Sequence, residues 1–322
     1  MKLFNQKDDS VEEVKQIPFK LERDIQELVE KNTDSIFNLL FVKSELRVDK
    51  YRIDSLCFDQ ENNSFVIIEY KKGSSYSVID QGYTYLQLLL NNKSDFLLVL
   101  SQYFNKVFST NEIDWSQSKI IFISPSFNSY QKDSVNFKNL PFELWEIKRF
   151  SNKSLIFNLH KSTSNESIQS LDNSKNTNLI SSVSREVKVY DIEDLISNIS
   201  QSNLDKWNEI VSRLNEMEGV ELKPKKNYVS IIIGGVSFKT VFYLSFQKTK
   251  MKIRIIRGVH NPDGYKGENY FTIDDPKNVT IKTQRTLGNG STQKFYEIIV
   301  DNDFDIDYLM FLIKQKYNNI NN

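Results

Sequence analysis

Between Phe19 and Lys31 apolar residues recur at helical spacing, with Leu21, Ile25, Leu28 and Val29 on one side, which predicts an amphipathic helix. The period then changes. Tyr51-Arg52-Ile53-Asp54-Ser55-Leu56 alternates and Phe65-Val66-Ile67-Ile68 is continuously apolar, so strands are predicted near 50–58 and 64–71, joined at the turn-forming cluster Glu61-Asn62-Asn63. Val78 to Leu90 reads as a helix, Asp95 to Ser101 and Ser118 to Ser124 as strands, and the stretch after Pro125 as a short helix. Leu144-Trp145-Glu146-Ile147 and Leu155-Ile156-Phe157 read as closing strands. Strand-like and helix-like segments in alternation predict a mixed α/β domain over residues 1–160, whose first 18 residues are too polar to predict an element.

From Lys161 to Ser184 the chain is rich in Ser, Asn and Thr with almost no apolar periodicity, and 161–186 is expected to be a linker. Helices near 191–199 and 203–216, several alternating strands and a final helix from Phe304 to Tyr317 then predict a smaller α+β domain over 187–322. Asp303, Asp305 and Asp307 open that last helix and Lys314 and Lys316 close it, the order the helix dipole favours. Ile233-Gly234-Gly235-Val236 reads as a hairpin turn and His260-Asn261-Pro262-Asp263-Gly264 as a second turn cluster. Lys248, Lys250, Lys252 and Arg254 alternate with Thr249, Met251, Ile253 and Ile255. A strand would set the four cations on one face, as a stripe able to track phosphates or as an ordinary solvated face.

Composition narrows the chemistry. The 322 residues hold 42 Lys and Arg against 42 Asp and Glu, so no global charge marks a nucleic-acid binder. No apolar run approaches the ~20 residues of a membrane span, and the polar start does not read as a signal peptide. The expectation is a cytoplasmic protein with no membrane partner. With 2 His and 1 Cys, a zinc site of the usual nitrogen and sulfur ligands cannot be assembled in one chain. Cys57, between Leu56 and Phe58, reads as a buried structural thiol. Metal chemistry here must rest on carboxylates, which points to Mg²⁺ or Mn²⁺.

Such carboxylates are present. Glu69 and Lys71 are two apart at the end of an apolar strand and project together, and antiparallel pairing of the two strands brings Asp54 to meet them. Two hard carboxylate oxygens beside an ammonium can hold Mg²⁺ and activate a water next to a phosphate. The plain alternative is a Glu and a Lys alternating on a solvated strand face. Glu22 lies on or beside the core stripe of the first helix, either sharing the metal or serving as a first-turn acid favoured by the dipole. Glu27 and Glu30 fall away from that stripe and look solvated. Gln81 and Tyr85 share one helical face that the loop Lys72-Gly73-Ser74-Ser75 can bring over the site. Gln81 could fix a water or a phosphate; Tyr85 could contact a DNA backbone or pack in the core with Val78 and Leu89.

Taken together, Asp54, Glu69-x-Lys71, Gln81-x-x-x-Tyr85 and Glu22 resemble the PD-(D/E)XK nuclease superfamily. The stretch from Phe19 to Trp145, notably Phe19-Lys20-Leu21-Glu22-Arg23-Asp24-Ile25-Gln26, Arg52-Ile53-Asp54, Val66-Ile67-Ile68-Glu69-Tyr70-Lys71-Lys72 and Val78-Ile79-Asp80-Gln81-Gly82-Tyr83, is similar to a group of uncharacterised bacterial proteins related to the DUF91/NucS-like branch. The C-terminal part, with Trp207 and Tyr228-Val229-Ser230-Ile231, is similar to the DUF5655 domain often fused to them. One departure stands out: Ile53 occupies the place of the proline before Asp54. The resemblance implies a restriction-endonuclease-like core, a mixed central sheet flanked by helices. It implies a divalent metal on Asp54, Glu69, Glu22 and the Tyr70 carbonyl, with Lys71 beside the nucleophile or scissile phosphate and Gln81 in the catalytic set. Tyr85, Lys72, Lys250, Lys252 and Arg254 are then the candidates for DNA contact. The expected function is Mg²⁺-dependent endonucleolytic hydrolysis of DNA, in repair or in defence against foreign DNA, by a protein that could act as a homodimer. The rivals are a non-catalytic nucleic-acid-binding module that keeps the fold, and an adaptor whose C-terminal domain binds a partner.

Overall fold

Polar as they are, the first residues pair with each other. In the computed structural model β1 (Leu3–Lys7) runs antiparallel to β2 (Ser10–Val14), and Asp8, at φ 51°, supplies the left-handed residue of the tight turn between them. The structure describes residues 2–72, 78–164, 177–234, 240–260, 271–287 and 290–321. Residues 73–75 of the loop after Lys72, residues 165–176 of the expected linker and much of the two glycine turn clusters (235–236 and 261–264) lie outside the described residues. The chain forms two compact units, Met1–Asp34 with Leu39–Lys188 and Ser35–Asn38 with Val189–Asn322.

In the first unit β3 (Gln16–Ile17) leads to α1 (Glu22–Glu30), where Asp24 accepts hydrogen bonds from the Lys20 and Leu21 amides and so fixes the start. Ile25 and Val29, four apart, are its fully buried residues. A short α2 (Thr33–Phe37), which the division between the units cuts after Asp34, precedes β4 (Leu40–Val48), a strand not foreseen in the sequence, which makes a hairpin with β5 (Tyr51–Asp59). β6 (Ser64–Tyr70) follows, antiparallel to β5, with Asn63 at φ 54° and the Asp59 carboxylate accepting from the Glu61 and Asn62 amides at the turn.

Every residue of β6 is buried, as its unbroken apolar run requires. β6 is parallel to the next strand in the sheet, so the chain must cross over a face to reach it. It does so through α3 (Val78–Asn91) and α4 (Lys93–Phe104) before entering β7 (Lys119–Ser124). The segment Asp95 to Ser101, expected as a strand, is therefore helical: Phe96 and Leu100, four apart, are buried while Leu98 is 58% exposed. A short apolar run does not by itself distinguish the two states. α5 (Ser129–Ser134), β8 (Phe142–Phe150) and β9 (Leu155–His160) complete a seven-stranded mixed sheet, with main order β3-β8-β7-β6-β5-β4 and β9 also on β8. α1 covers one face and α3 with α4 the other. Gly82 lies so close to β8 that a Cβ there would come within 2.7 Å of the Phe142 ring.

Within the stretch expected as linker, α6 (Thr177–Glu186) is a helix of this unit, with Val183 and the following Val187 buried in the core around α3 and Lys93 paired to Glu186 at 2.6 Å. Ile180, partly buried, packs against the same core, so three apolar residues dock a stretch that is otherwise mostly polar.

The second unit holds α7 (Ile192–Ile196), α8 (Gln201–Asn215) and six antiparallel strands: β10 (Val220–Pro224), β11 (Val229–Ile233), β12 (Thr240–Phe246), β13 (Met251–His260), β14 (Ile281–Thr286) and β15 (Thr292–Val300). Their order is β10-β11-β12-β13-β15-β14. The terminal helix α9 (Ile306–Asn321) and α8 pack Leu309, Met310 and Ile313 with Trp207, Ile210 and Leu214 in one core with the sheet. Among the described residues no helix is long and apolar enough to cross a membrane.

Candidate functional site

The register of β5 and β6 pairs Ser55 with Ile68, so the next residues along, Asp54 and Glu69, face each other. Three successive backbone amides at the end of β6 are held by different elements. Tyr70 N donates to Asp54 Oδ2 at 3.0 Å, Lys71 N to the Ile123 carbonyl at 2.8 Å, and Lys72 N to Glu22 Oε1 at 2.6 Å. The strand end is thus fixed by β5, β7 and α1 together.

Glu69 lies on the face covered by α3. Its Oε1 accepts from Lys71 Nζ at 2.9 Å, Gln81 Nε2 at 2.8 Å and the Tyr85 hydroxyl at 3.4 Å. The other oxygen, Oε2, is buried with no hydrogen-bond partner among the described residues. Burial, then the nearby charge of Asp54, pushes the Glu69 carboxyl up to about 7, although Lys71 and Gln81 pull the other way. Asp54 is raised too, by burial, against the pull of the Tyr70 amide and of Lys71. A buried carboxylate oxygen without a donor is costly unless a proton or a cation meets it. The donor set of two carboxylates, hard oxygens with an ammonium behind them, suits Mg²⁺, which is usually held by one or two carboxylates and completes its shell with water and substrate phosphate.

The other expected residues fall as follows. Glu22 is exposed and meets the strand end through the Lys72 amide; among the described residues no three His, Cys, Asp or Glu side chains gather to hold an ion. The Tyr70 ring points to the α1 face, its hydroxyl 3.2 Å from Ser55 Oγ. Lys72 Nζ donates to the Lys20 carbonyl. Tyr85 is 6% exposed and its hydroxyl turns inward, to Gln81 at 3.2 Å and the Arg52 carbonyl at 3.2 Å, so it braces Glu69 and does not face solvent. Gln81 likewise spends its amide on Glu69.

In the second unit the expected cation stripe is interrupted. β13 begins at Met251, and Lys250 lies in the hairpin turn before it, its carbonyl accepting from Gln247 N at 2.8 Å. Lys252 and Arg254 do alternate on the strand, but both lean on the buried Glu297 of β15, at 3.7 and 2.6 Å. The pattern of alternating lysines could not reveal a carboxylate that only sheet register brings beside it.

Three groups near Asp54 were not singled out by the sequence. Glu45 stands opposite Asp54 on β4, between the pairs Ser44 with Ser55 and Leu46 with Ile53, at φ 53°. Arg52, two residues before Asp54, pairs with Glu45. Glu30, expected to be solvated, accepts from Ser55 Oγ at 2.6 Å and from Gln26 Nε2 at 3.0 Å, and Gln26 also reaches the Asp54 carbonyl at 3.1 Å. Arg52 could have been found from its i, i+2 spacing to Asp54; Glu45 and Glu30 carry no local signal.

Compared with known proteins, the chain is 35% identical over 319 residues to an uncharacterised protein of Haemophilus influenzae, covering 98% of this chain and 99% of that one. No family model matches the chain. A solved structure described as that of an EndoMS-dsDNA2 complex aligns over 35% of this chain and 40% of its own, at 18% identity and a TM-score of 0.20, too low to establish a shared fold.

Proposed function

The chain belongs to the same family as the Haemophilus influenzae protein, and for this family member we propose metal-dependent hydrolysis of phosphodiester bonds, with DNA as substrate and a PD-(D/E)XK-type core as scaffold. The observation that carries the reading is the buried Oε2 of Glu69, without a hydrogen-bond partner among the described residues, beside Asp54 and Lys71. Asp54 and Glu69 would hold Mg²⁺ or Mn²⁺, with the Tyr70 carbonyl as the further ligand that the motif resemblance implies. When bound, the cation lowers the pKa of water and offsets negative charge on the phosphate.

The chain's own groups do the rest. Lys71, 15% exposed and anchored on Glu69, keeps an ammonium at the mouth of the site, where charge grows on the phosphate during attack. Gln81 and Tyr85 fix the rotamer of Glu69 from α3, and Glu22 holds the backbone of Lys72 so that the end of β6 cannot drift. The test is cleavage of plasmid, single-stranded and branched DNA with Mg²⁺, Mn²⁺ or EDTA by wild type, Glu69→Ala and Lys71→Ala, beside calorimetric Mn²⁺ binding. Expected are metal-dependent cutting, its loss by roughly a hundredfold or more in both variants, and loss of Mn²⁺ binding in Glu69→Ala. Salt-sensitive DNA binding without cutting by wild type would replace the nuclease with a non-catalytic binding module.

A further inference from the structure

We propose that Arg52, with Glu45 as its resting counter-ion, is a phosphate-binding residue of this site, taking a phosphodiester of the nucleic acid beside the one attacked; the inference rests on the nuclease reading above. Arg52 and Asp54 are two apart on β5, so their side chains leave the same face of the strand. That position sets the guanidinium on the side of the strand that carries the carboxylate pair.

Its contacts leave it free to act. Arg52 meets Glu45 through Nε, at 2.9 Å from Oε2, and no described residue bonds its terminal nitrogens. Its side chain is 59% exposed and that of Glu45 is 42% exposed, and an ion pair so open to water is weakly held. A phosphate offers two oxygens to the guanidinium fork and forms a stronger, bidentate pair than one carboxylate oxygen on Nε. From below, the Tyr85 hydroxyl bonds the Arg52 carbonyl at 3.2 Å, so the residue bracing Glu69 also sets the backbone that carries Arg52.

Glu45 shows the same design from the other side. A glutamate at φ 53° in the middle of a strand is strained, because its Cβ crowds the backbone. Strain of this kind persists where surrounding structure imposes it and concentrates at functional sites. Here the twist places the Glu45 carboxylate where Arg52 and Gln26 can both reach it, with Gln26 Nε2 at 3.3 Å from Oε1. Glu45 therefore holds the guanidinium ready while no phosphate is present and competes with the phosphate that displaces it.

The test is fluorescence anisotropy of the full-length chain on labelled duplex and single-stranded oligonucleotides, with Ca²⁺ in place of Mg²⁺, over a series of salt concentrations. Arg52→Ala is expected to weaken binding about tenfold and to reduce the slope of log affinity against log salt by about one. Arg52→Lys should fall between, and Glu45→Gln should tighten binding, since it removes the competitor. In cleavage, Arg52→Ala should raise KM more than it lowers kcat, a split that a merely structural role would not give; melting temperatures identify any variant that fails to fold. Metal-dependent cutting by wild type with binding unchanged in both Arg52→Ala and Glu45→Gln overturns this inference alone. A wild type that neither binds nor cuts overturns it together with the nuclease reading.

Discussion

Replacing Glu69 by Gln should flatten the pH dependence of stability, and the size of the effect follows from the site. In the folded chain Glu69 takes up its proton near pH 7, against an ordinary value near 4.5, chiefly because it is buried. Between those two pH values the folded state binds more protons than the unfolded state, so unfolding free energy falls as pH rises through that window. The stabilisation is fully present below about 4.5 and lost above about 7. At roughly 1.4 kcal/mol per pH unit the loss comes to about 3 kcal/mol. Gln is neutral throughout and nearly isosteric, so the variant lacks this slope, while Asp54, present in both proteins, drops out of the difference to first order. Thermal melting of the two proteins in EDTA from pH 4.5 to 8.5 measures it. For a unit of this size, 3 kcal/mol corresponds to roughly 6–12 °C, by which the variant should gain on wild type as pH rises. Parallel curves, with a constant offset at every pH, would refute the raised carboxyl and with it the electrostatic case for a cation at Glu69.

Two further substitutions probe the frame around the site. Gly82→Ala sets a Cβ 2.7 Å from the Phe142 ring, which is itself packed on Tyr83 at 4.9 Å, so overpacking of about 1–3 kcal/mol should outweigh the roughly 1 kcal/mol gained in helix propensity, seen as a lower melting temperature; a rise would show that the ring yields freely. Tyr85→Phe removes the hydroxyl shared by Gln81, Arg52 and Glu69, and should lower stability by about 1 kcal/mol in urea unfolding while slowing cleavage, with unchanged stability counting against its bracing role.

Where one short stretch of chain carried the information, the sequence was legible. Asp54, Glu69, Lys71, Gln81 and Tyr85 could be set beside one another because strand and helix periods and one turn cluster determine how 51 to 85 runs, and the structure brings Glu69 into contact with Lys71, Gln81 and Tyr85. Elements defined by partners were not legible. β4 escaped because the irregularity between Phe41 and Lys43 and the left-handed Glu45 break its alternation. Within α4, Leu97-Leu98-Val99 fills the gap between Phe96 and Leu100 with apolar residues, which hides the helical period and makes 95–101 read as a strand. α6 lies in a mostly polar stretch, docked in the core by Ile180, Val183 and the following Val187 alone among its described residues. The breaks in the lysine stripe, and the inward turn of Glu30 on α1, depend on Glu297 and Ser55, residues far away in sequence that pairing and packing bring close.

The parallel pairing of β6 and β7 has a consequence for how such a site can change over time. A chain that must travel back along the sheet to reach β7 has to leave the sheet just past Glu69, so the opening turns of α3 pass over the carboxylates whatever residues they carry. Gln81 and Tyr85 occupy those turns, whereas Leu86, Leu89 and Leu90 further along are spent on the core. The return path therefore sets two jurisdictions within one helix: the positions that meet Glu69, Gln81 foremost, can be rewritten to alter what surrounds the carboxylates, while Val78, Gly82 and Tyr83 in the same turns and the leucines beyond them are bound by packing.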